Sequence, residues 1–220
     1  MIFVRDKGRM CNNILQYGHL YAWARANNQK TVSMRFAYKY QYFHICRTRW
    51  HNFFVYLFAK YAAQLKLIPT VTFDTPDEDF TEKENAMRRG CLVAEGWFAR
   101  WYDLFLQYKP EILSLFAFDS HIESKITSLL ETSSKEGIIR LGVHIRRGDY
   151  TTWNDGRFLY DDKQMVNIIR QFILLHPNKR VVIYICGNDP KLNKQAYSEA
   201  FGQENVVFPP VSYTHLRAHE

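Results

Sequence analysis

The chain has 220 residues, 47% of them hydrophobic and 23% charged, which excludes a disordered protein and suits one large domain or two small ones, each with a buried core. Lysine and arginine outnumber aspartate and glutamate by 29 to 22, a net charge of +7 with a pI near 9.2, which favours anionic partners such as nucleotides, nucleic acid or an acidic membrane face without choosing among them. The four cysteines (Cys11, Cys46, Cys91, Cys186) are scattered and form no CxxC pair, so neither a zinc site nor a disulfide framework is expected, and reduced thiols in a cytosol are the simpler reading.

The opening MIFVRDKG meets charge too early for the apolar core of a signal peptide. The most hydrophobic stretch, Asn52 to Ala63, is interrupted by Lys60 and too short to cross a bilayer. Along the chain short apolar runs alternate with helix-period segments, the pattern of an α/β protein. Ile2 to Val4 reads as a first strand and Asp6 to Asn12 as a loop. Asn12 or Asn13 is placed to cap a helix whose apolar face is Ile14, Tyr17, Gly18, Tyr21 and Ala22, ended by Asn27 and Asn28. Thr31 to Met34 reads as a second strand, parallel to the first, completing a βαβ unit. The stretch from Phe36 to Leu67, thick with aromatic and basic residues, reads as mostly helical, and a helix from Phe98 to Phe118 is expected to break around Pro110.

The small polar run TSSKEG, Thr132 to Gly137, marks a domain boundary, giving a first domain over 1–136 and a second over 137–210. In the second, Ile138 to Ile145 is a strand, and Met165, Ile168, Ile169, Phe172 and Ile173 mark one helix face. Pro177 and Asn178 turn the chain, and Val181 to Cys186 is an apolar strand. Asp189 is placed to cap, and Pro190 to begin, a helix carrying Leu192, Ala196, Tyr197 and Ala200, before a strand at Val206 to Phe208. This βαβαβ run is half of a doubly wound fold, whose ligands sit beyond the carboxyl ends of the strands, where Arg146 and Asp189 fall. The last ten residues, VSYTHLRAHE, match at every position one translation of a transposase adapter used in sequencing libraries. Val211 to Glu220 is therefore expected to be a non-native tail, and the natural chain to continue beyond Pro210.

Four segments carry chemistry. LGVHIRRGDY, Leu141 to Tyr150, delivers two adjacent arginines and an aspartate from a strand into a loop, where planar guanidinium forks match phosphate oxygens two at a time. A solvated charged strand end is the plain alternative. An adhesion role for the tripeptide at Arg147 to Asp149 is weak, because it continues a buried strand. On an alternating strand His144 shares a face with Arg146, and Arg147 with Ile145; His144 reads equally as a hydrogen-bonded core residue. GRMCNNILQY, Gly8 to Tyr17, offers a close backbone approach at Gly8 and donors from Asn12, although a plain βα turn explains it. YICGNDP, Tyr184 to Pro190, presents Asp189 as ligand contact or helix cap. In EGWFARWYDLF, Glu95 to Phe105, Trp97 and Trp101 read more readily as core than as sugar platforms.

In this order and spacing the segments resemble family 11 of the glycosyltransferases, the α-1,2-fucosyltransferases, and more distantly the wider fucosyltransferase superfamily. Gly8, Asn12, Gln16 and Tyr17 match the opening motif GGLGNQxFQY, Gly96 and Trp97 resemble the GYWQ segment, and HIRRGDY matches nearly all of HxRRxDY. The likeness runs from residue 1 to about residue 208. Arg9 and Cys11 replace glycines, Asn13 replaces glutamine, and Gly187 and Asn188 replace Ser-Asp; these departures bear on substrate identity more than on fold. A later segment with paired tryptophans, which in relatives helps close the donor site, is missing.

The resemblance implies a GT-B-like α/β fold of two Rossmann-like domains, the second incomplete. It implies inverting, metal-independent and cofactor-free transfer of L-fucose from GDP-fucose to a galactoside hydroxyl in α-1,2 linkage during surface glycan synthesis. As the anomeric carbon gains oxocarbenium character, charge builds on the departing diphosphate, and preplaced guanidinium groups stabilise it more than the ground state. Arg146 is expected at the β-phosphate with Arg147 second, and Asp149 and His144 are expected to orient them. Gly8, Asn12, His144, Arg146 and Asp189 form the expected donor contacts, and no general base is identified. With the later segment missing, the chain as given is expected to have little or no activity. The expected acceptor is a galactose-containing glycan, lipid-linked among the options, and the expected place is the cytoplasm, with peripheral contact at the inner membrane face through the basic aromatic region; solvated helix faces explain the same charges equally well. Two other readings compete: a nucleic-acid-binding protein, in which Arg35 to Lys60 would stack bases although no recognised module is present, and a non-catalytic relative of the same fold.

Overall fold

The computed structural model describes residues 1–76, 79–131, 137–187 and 189–209, without the side chains of Leu129, Glu131 and Asp149. The expected boundary at 132–136, Asn188 and the expected tail Val211–Glu220 lie outside the described residues. The chain divides into two compact units, Met1–Glu123 and Ser124–Glu220.

In unit 1 four parallel strands lie in the order β2-β1-β4-β3: β1 (Ile2–Arg5), β2 (Thr31–Ser33), β3 (Thr70–Thr72) and β4 (Leu92–Glu95). Ile2 pairs with Thr31 on one side and with Leu92 on the other. Helices lie on both faces, so the central strands are apolar at successive rather than alternate positions. Ile2 and Val4 pack with Tyr17, Leu20 and Trp23 of α1 (Met10–Ala26), while Phe3 and Val93 pack with Ala59 of α2 (Phe53–Gln64). The parallel pairing expected for the first two strands is present. The expected cap at Asn12 or Asn13 is not: α1 begins at Met10, preceded by Arg9 without a side-chain cap, and both asparagines lie inside the helix.

The aromatic stretch after β2 is less helical than its composition suggests. It holds a 3-10 turn at His44–Arg47 and α2, and its first part is turn, folded by ring packing of Phe36 on Tyr40, Phe43 and Phe116. β3, α3 (Thr81–Arg89) and β4 follow. The break near Pro110 is real: α4 (Tyr102–Gln107) stops and α5 (Lys109–Leu115) restarts with the proline in its first turn, where the missing N–H has no partner to lose. α6 (Ser120–Glu131) straddles the boundary between the units.

In unit 2 three parallel strands lie in the order β5-β6-β7: β5 (Ile138–Ile145), β6 (Arg180–Gly187) and β7 (Val206–Val207). Ile139 pairs with Val181 and Ile145 with Gly187. Ile145, Ile183 and Ile185 pack on Val166 and Ile169 of α7 (Asp162–Leu174) and on Tyr197 of α8 (Lys194–Phe201). Asp161 caps α7 in a reciprocal capping box with Gln164. The cap expected at Asp189 belongs instead to Asn193, whose side chain accepts from the Ala196 N–H, and Pro190 precedes the helix. Asp189 turns the loop earlier, accepting from the Lys191 N–H at 2.8 Å. All four cysteines are free thiols.

Candidate functional site

In unit 1 the strand order reverses direction beside β1, so the carboxyl end of β1 is the topological switch point where open α/β sheets bind ligands. Gly8 sits there with φ +87, and a Cβ on it would stand 2.9 Å from the Asn12 amide nitrogen. Gln16, buried in α1, holds this loop from beneath. Its Nε2 donates to the Lys7 carbonyl at 2.7 Å, and the Lys7 N–H donates to its Oε1 at 3.2 Å. The Tyr17 hydroxyl shares a hydrogen bond with Thr31 Oγ1 at 3.1 Å. Of the four matched residues in this motif, Gln16 and Tyr17 hold the loop and the strand pair, and Gly8 with Asn12 faces outward.

Beneath the loop lies a buried polar group that the sequence did not announce. Ser33 Oγ donates to Asp6 Oδ2 at 2.6 Å, the Ser33 N–H donates to His51 Nε2 at 2.9 Å, and His51 Nδ1 lies 2.6 Å from Thr48 Oγ1. Burial pushes the Asp6 carboxyl up to about 7, against the Ser33 hydrogen bond and the Arg35 charge, and pushes His51 down to about 4. Asp6 Oδ1 and both polar side-chain atoms of Asn13 are buried without a hydrogen-bond partner. Next door, Glu95 at the end of β4 takes Arg5 Nη1 at 3.0 Å and Lys7 Nζ at 3.7 Å. Trp101 packs into the core and donates to Glu84 at 2.8 Å, whereas Trp97 is exposed with the Arg100 guanidinium 4.5 Å over its ring.

In unit 2 the parity of β5 separates the two arginines, as the alternation of the strand predicts. His144 and Arg146 line one cavity of about 550 Å³ together with Tyr150, Trp153, Phe158 and Tyr160. The Arg146 guanidinium lies 4.7 Å over the Tyr150 ring, which stacks at 5.2 Å on Trp153, and Trp153 meets Phe158 at 5.4 Å. Asn154, Asp155 and Gly156 are all left-handed, reversing the chain so that these last two rings meet.

Arg147 turns the other way, into a clamp. Its Nη2 donates to Asp162 Oδ1 at 2.6 Å, its Nη1 to Asp189 Oδ2 at 3.2 Å, and its Nε to the Tyr160 carbonyl at 2.9 Å. Tyr197 completes the group by donating to Asp162 at 2.8 Å. Burial acts to raise the Asp162 pKa, but hydrogen bonds from Arg147 and Tyr197 outweigh it and hold the carboxyl below its usual range. The cavity beside Arg147, also about 550 Å³, is lined by Asp161, Asp162 and Asp189 with Lys191. The predicted residues therefore fall into three pairs: Gly8 with Asn12, His144 with Arg146, and Arg147 with Asp189. The side chain of Asp149 lies outside the described residues. Sequence reasoning missed Asp162, whose only signal was a second aspartate at a helix start.

No family model and no curated protein matches the chain. Solved structures do. The fucosyltransferase NodZ from Bradyrhizobium superposes with a TM-score of 0.53 over 99% of this chain and 82% of its own, at 12% identity. POFUT1 in complex with GDP superposes with a TM-score of 0.51 over 93% of this chain and 82% of its own, at 11% identity. The α/β, parallel-sheet, GT-B-like class expected from the sequence is thus the fold that the chain shares with these fucosyltransferases.

Proposed function

We propose that the chain binds GDP-fucose and serves inverting, metal-independent transfer of L-fucose to a galactoside hydroxyl, in α-1,2 linkage. The observation that carries this reading is the contrast between the two arginine cavities. The Arg146 cavity brings a guanidinium and a histidine to an aromatic wall, whereas the Arg147 guanidinium is engaged by Asp162 and Asp189 in a cavity lined by three carboxylates. Three carboxylates against two cations disfavour a diphosphate in the second, and the Arg146 fork over its aromatic wall is suited to phosphate oxygens in the first. Arg146 is then the group that stabilises charge on the departing GDP, and the aromatic rings exclude water around it. Arg147, held by Asp162 and Asp189, is a positioning residue that fixes the loop carrying Arg146. His144 shares the Arg146 cavity, and with Asp149 it is assigned the role of orienting the arginine loop. Asn12, on an exposed turn of α1, offers amide donors to a sugar hydroxyl.

Calorimetry with GDP tests the assignment. Arg146→Ala should weaken binding by about 1.5 to 3 kcal/mol, the contribution of a hydrogen bond to a charged group, with the fold intact. Arg147→Ala should instead lower the melting temperature, because it leaves two carboxylates facing each other in a half-buried site. Unchanged GDP affinity in Arg146→Ala overturns the reading. Linkage analysis of any fucosylated galactoside produced separates 2-linked from otherwise linked product.

A further inference from the structure

We propose that the outward face of α2, with the loops flanking it, docks on an anionic lipid bilayer. The proposal rests on unit 1 alone and holds whether or not the chain transfers fucose. α2 is packed inside out. Its core side is mostly small, with Ala59 and Ala62 buried and Val55, Tyr56 and Ala63 beside them. Its large apolar residues, Phe54, Phe58, Tyr61 and Leu65, recur at helical spacing along the neighbouring, solvent-facing stripe. Phe54 is 81% exposed, Phe58 59%, Leu65 69%, and Leu67, just past the helix, 73%. A helix apolar on all sides is normally covered on all sides, and a contiguous exposed patch of this kind marks an interaction surface.

Charge selects what covers it. Between Asp6 and Asp74 there is no aspartate or glutamate, so every formally charged residue from Lys7 to Lys66 is a lysine or arginine. Two of these cations stand beside aromatic rings, one on the stripe and one in the loop before the helix: Lys60 Nζ lies 5.5 Å from the Tyr61 ring centre, and the Arg49 guanidinium lies 4.9 Å from that of Trp50. Rings at the acyl boundary with long cationic stems reaching lipid phosphates is the arrangement of a surface lying in a membrane interface. A second copy of the chain would bring the same positive charge to the contact, which disfavours self-association through this face. No helix of the described residues is long and apolar enough to cross a membrane, so the contact is with the surface of the bilayer.

Co-sedimentation of the 220-residue chain with vesicles decides the matter, using phosphatidylcholine alone and an equimolar mixture with phosphatidylglycerol. Binding is expected to the mixed vesicles, weakening with salt, and little to phosphatidylcholine alone. Lys60→Gln with Lys66→Gln should lower affinity about 25-fold, at roughly fivefold per cation removed. Phe54→Ser with Leu65→Ser should lower it about tenfold or more, with an unchanged circular dichroism spectrum because both side chains are exposed. Equal binding to the two vesicle types, or undiminished binding by the serine variant, overturns the proposal. So does a dimer in sedimentation velocity that the serine variant dissociates, since the face would then belong to a second copy.

Discussion

Asp6 is a carboxyl group that the fold keeps protonated near neutrality, and its effect on stability has a definite sign. Its folded value of about 7 lies above the ordinary carboxyl value of 3.8, so the folded chain holds this proton more tightly than the unfolded chain. The stability that this confers is complete below 3.8 and disappears as pH rises through 7, on the order of a few kcal/mol in all. His19 and His51 act in the opposite sense. Burial lowers both to about 4, so their contribution is lost as pH falls from the imidazole range toward 4. The difference between the parent and Asp6→Asn isolates the carboxyl: the asparagine still accepts from Ser33, and the variant should gain relative stability steadily between about pH 4 and about pH 7 and level off above that. Parallel urea titrations of the two proteins at several pH values measure it, and a constant difference would show that Asp6 ionises freely in the folded chain.

Among elements, the long apolar strands were legible, as were the short β1, β2 and β7, whereas β3 and β4 were not. Ile138–Ile145 and the apolar part of β6 could be read directly because eight successive positions carry the signal. β3 and β4, of three and four residues, show no period long enough to distinguish them from loop. Starts of helices misled where local capping chemistry competed with tertiary anchoring: Gln16 grips the Lys7 peptide and pulls the start of α1 ahead of Asn12. The site was legible to the same degree. Strand parity separated Arg146 from Arg147, but nothing local pointed to Asp162, which is brought in by the docking of α7. The joint after β4 is the least tolerant turn described. Gly96 has φ +117, and a Cβ there would stand 2.4 Å from the Phe73 carbonyl oxygen. Gly96→Ala should therefore destabilise by at least about 3 kcal/mol. Gly90→Ala, with extended backbone and nothing within 4 Å of a new Cβ, should change stability by no more than about 0.5 kcal/mol. Urea unfolding that ranks the two variants equally would contradict the close approach at Phe73.

At the scale of the whole chain, each unit closes its own apolar core, so differential scanning calorimetry should resolve two transitions rather than one. GDP at about 100 times its dissociation constant should raise the unit 2 transition by the equivalent of about 2.7 kcal/mol and move the other less. A larger shift in the unit 1 transition would place the nucleotide on the wrong unit for Arg146. The clamp on Arg147 also carries a timetable. Its carboxylates lie 15 and 42 residues downstream of the arginine they hold, so during synthesis both leave the ribosome after it. A nascent chain that has just exposed Arg146 and Arg147 presents two chemically identical neighbours, and they acquire separate duties only once Asp189 has emerged and β6 has docked beside β5.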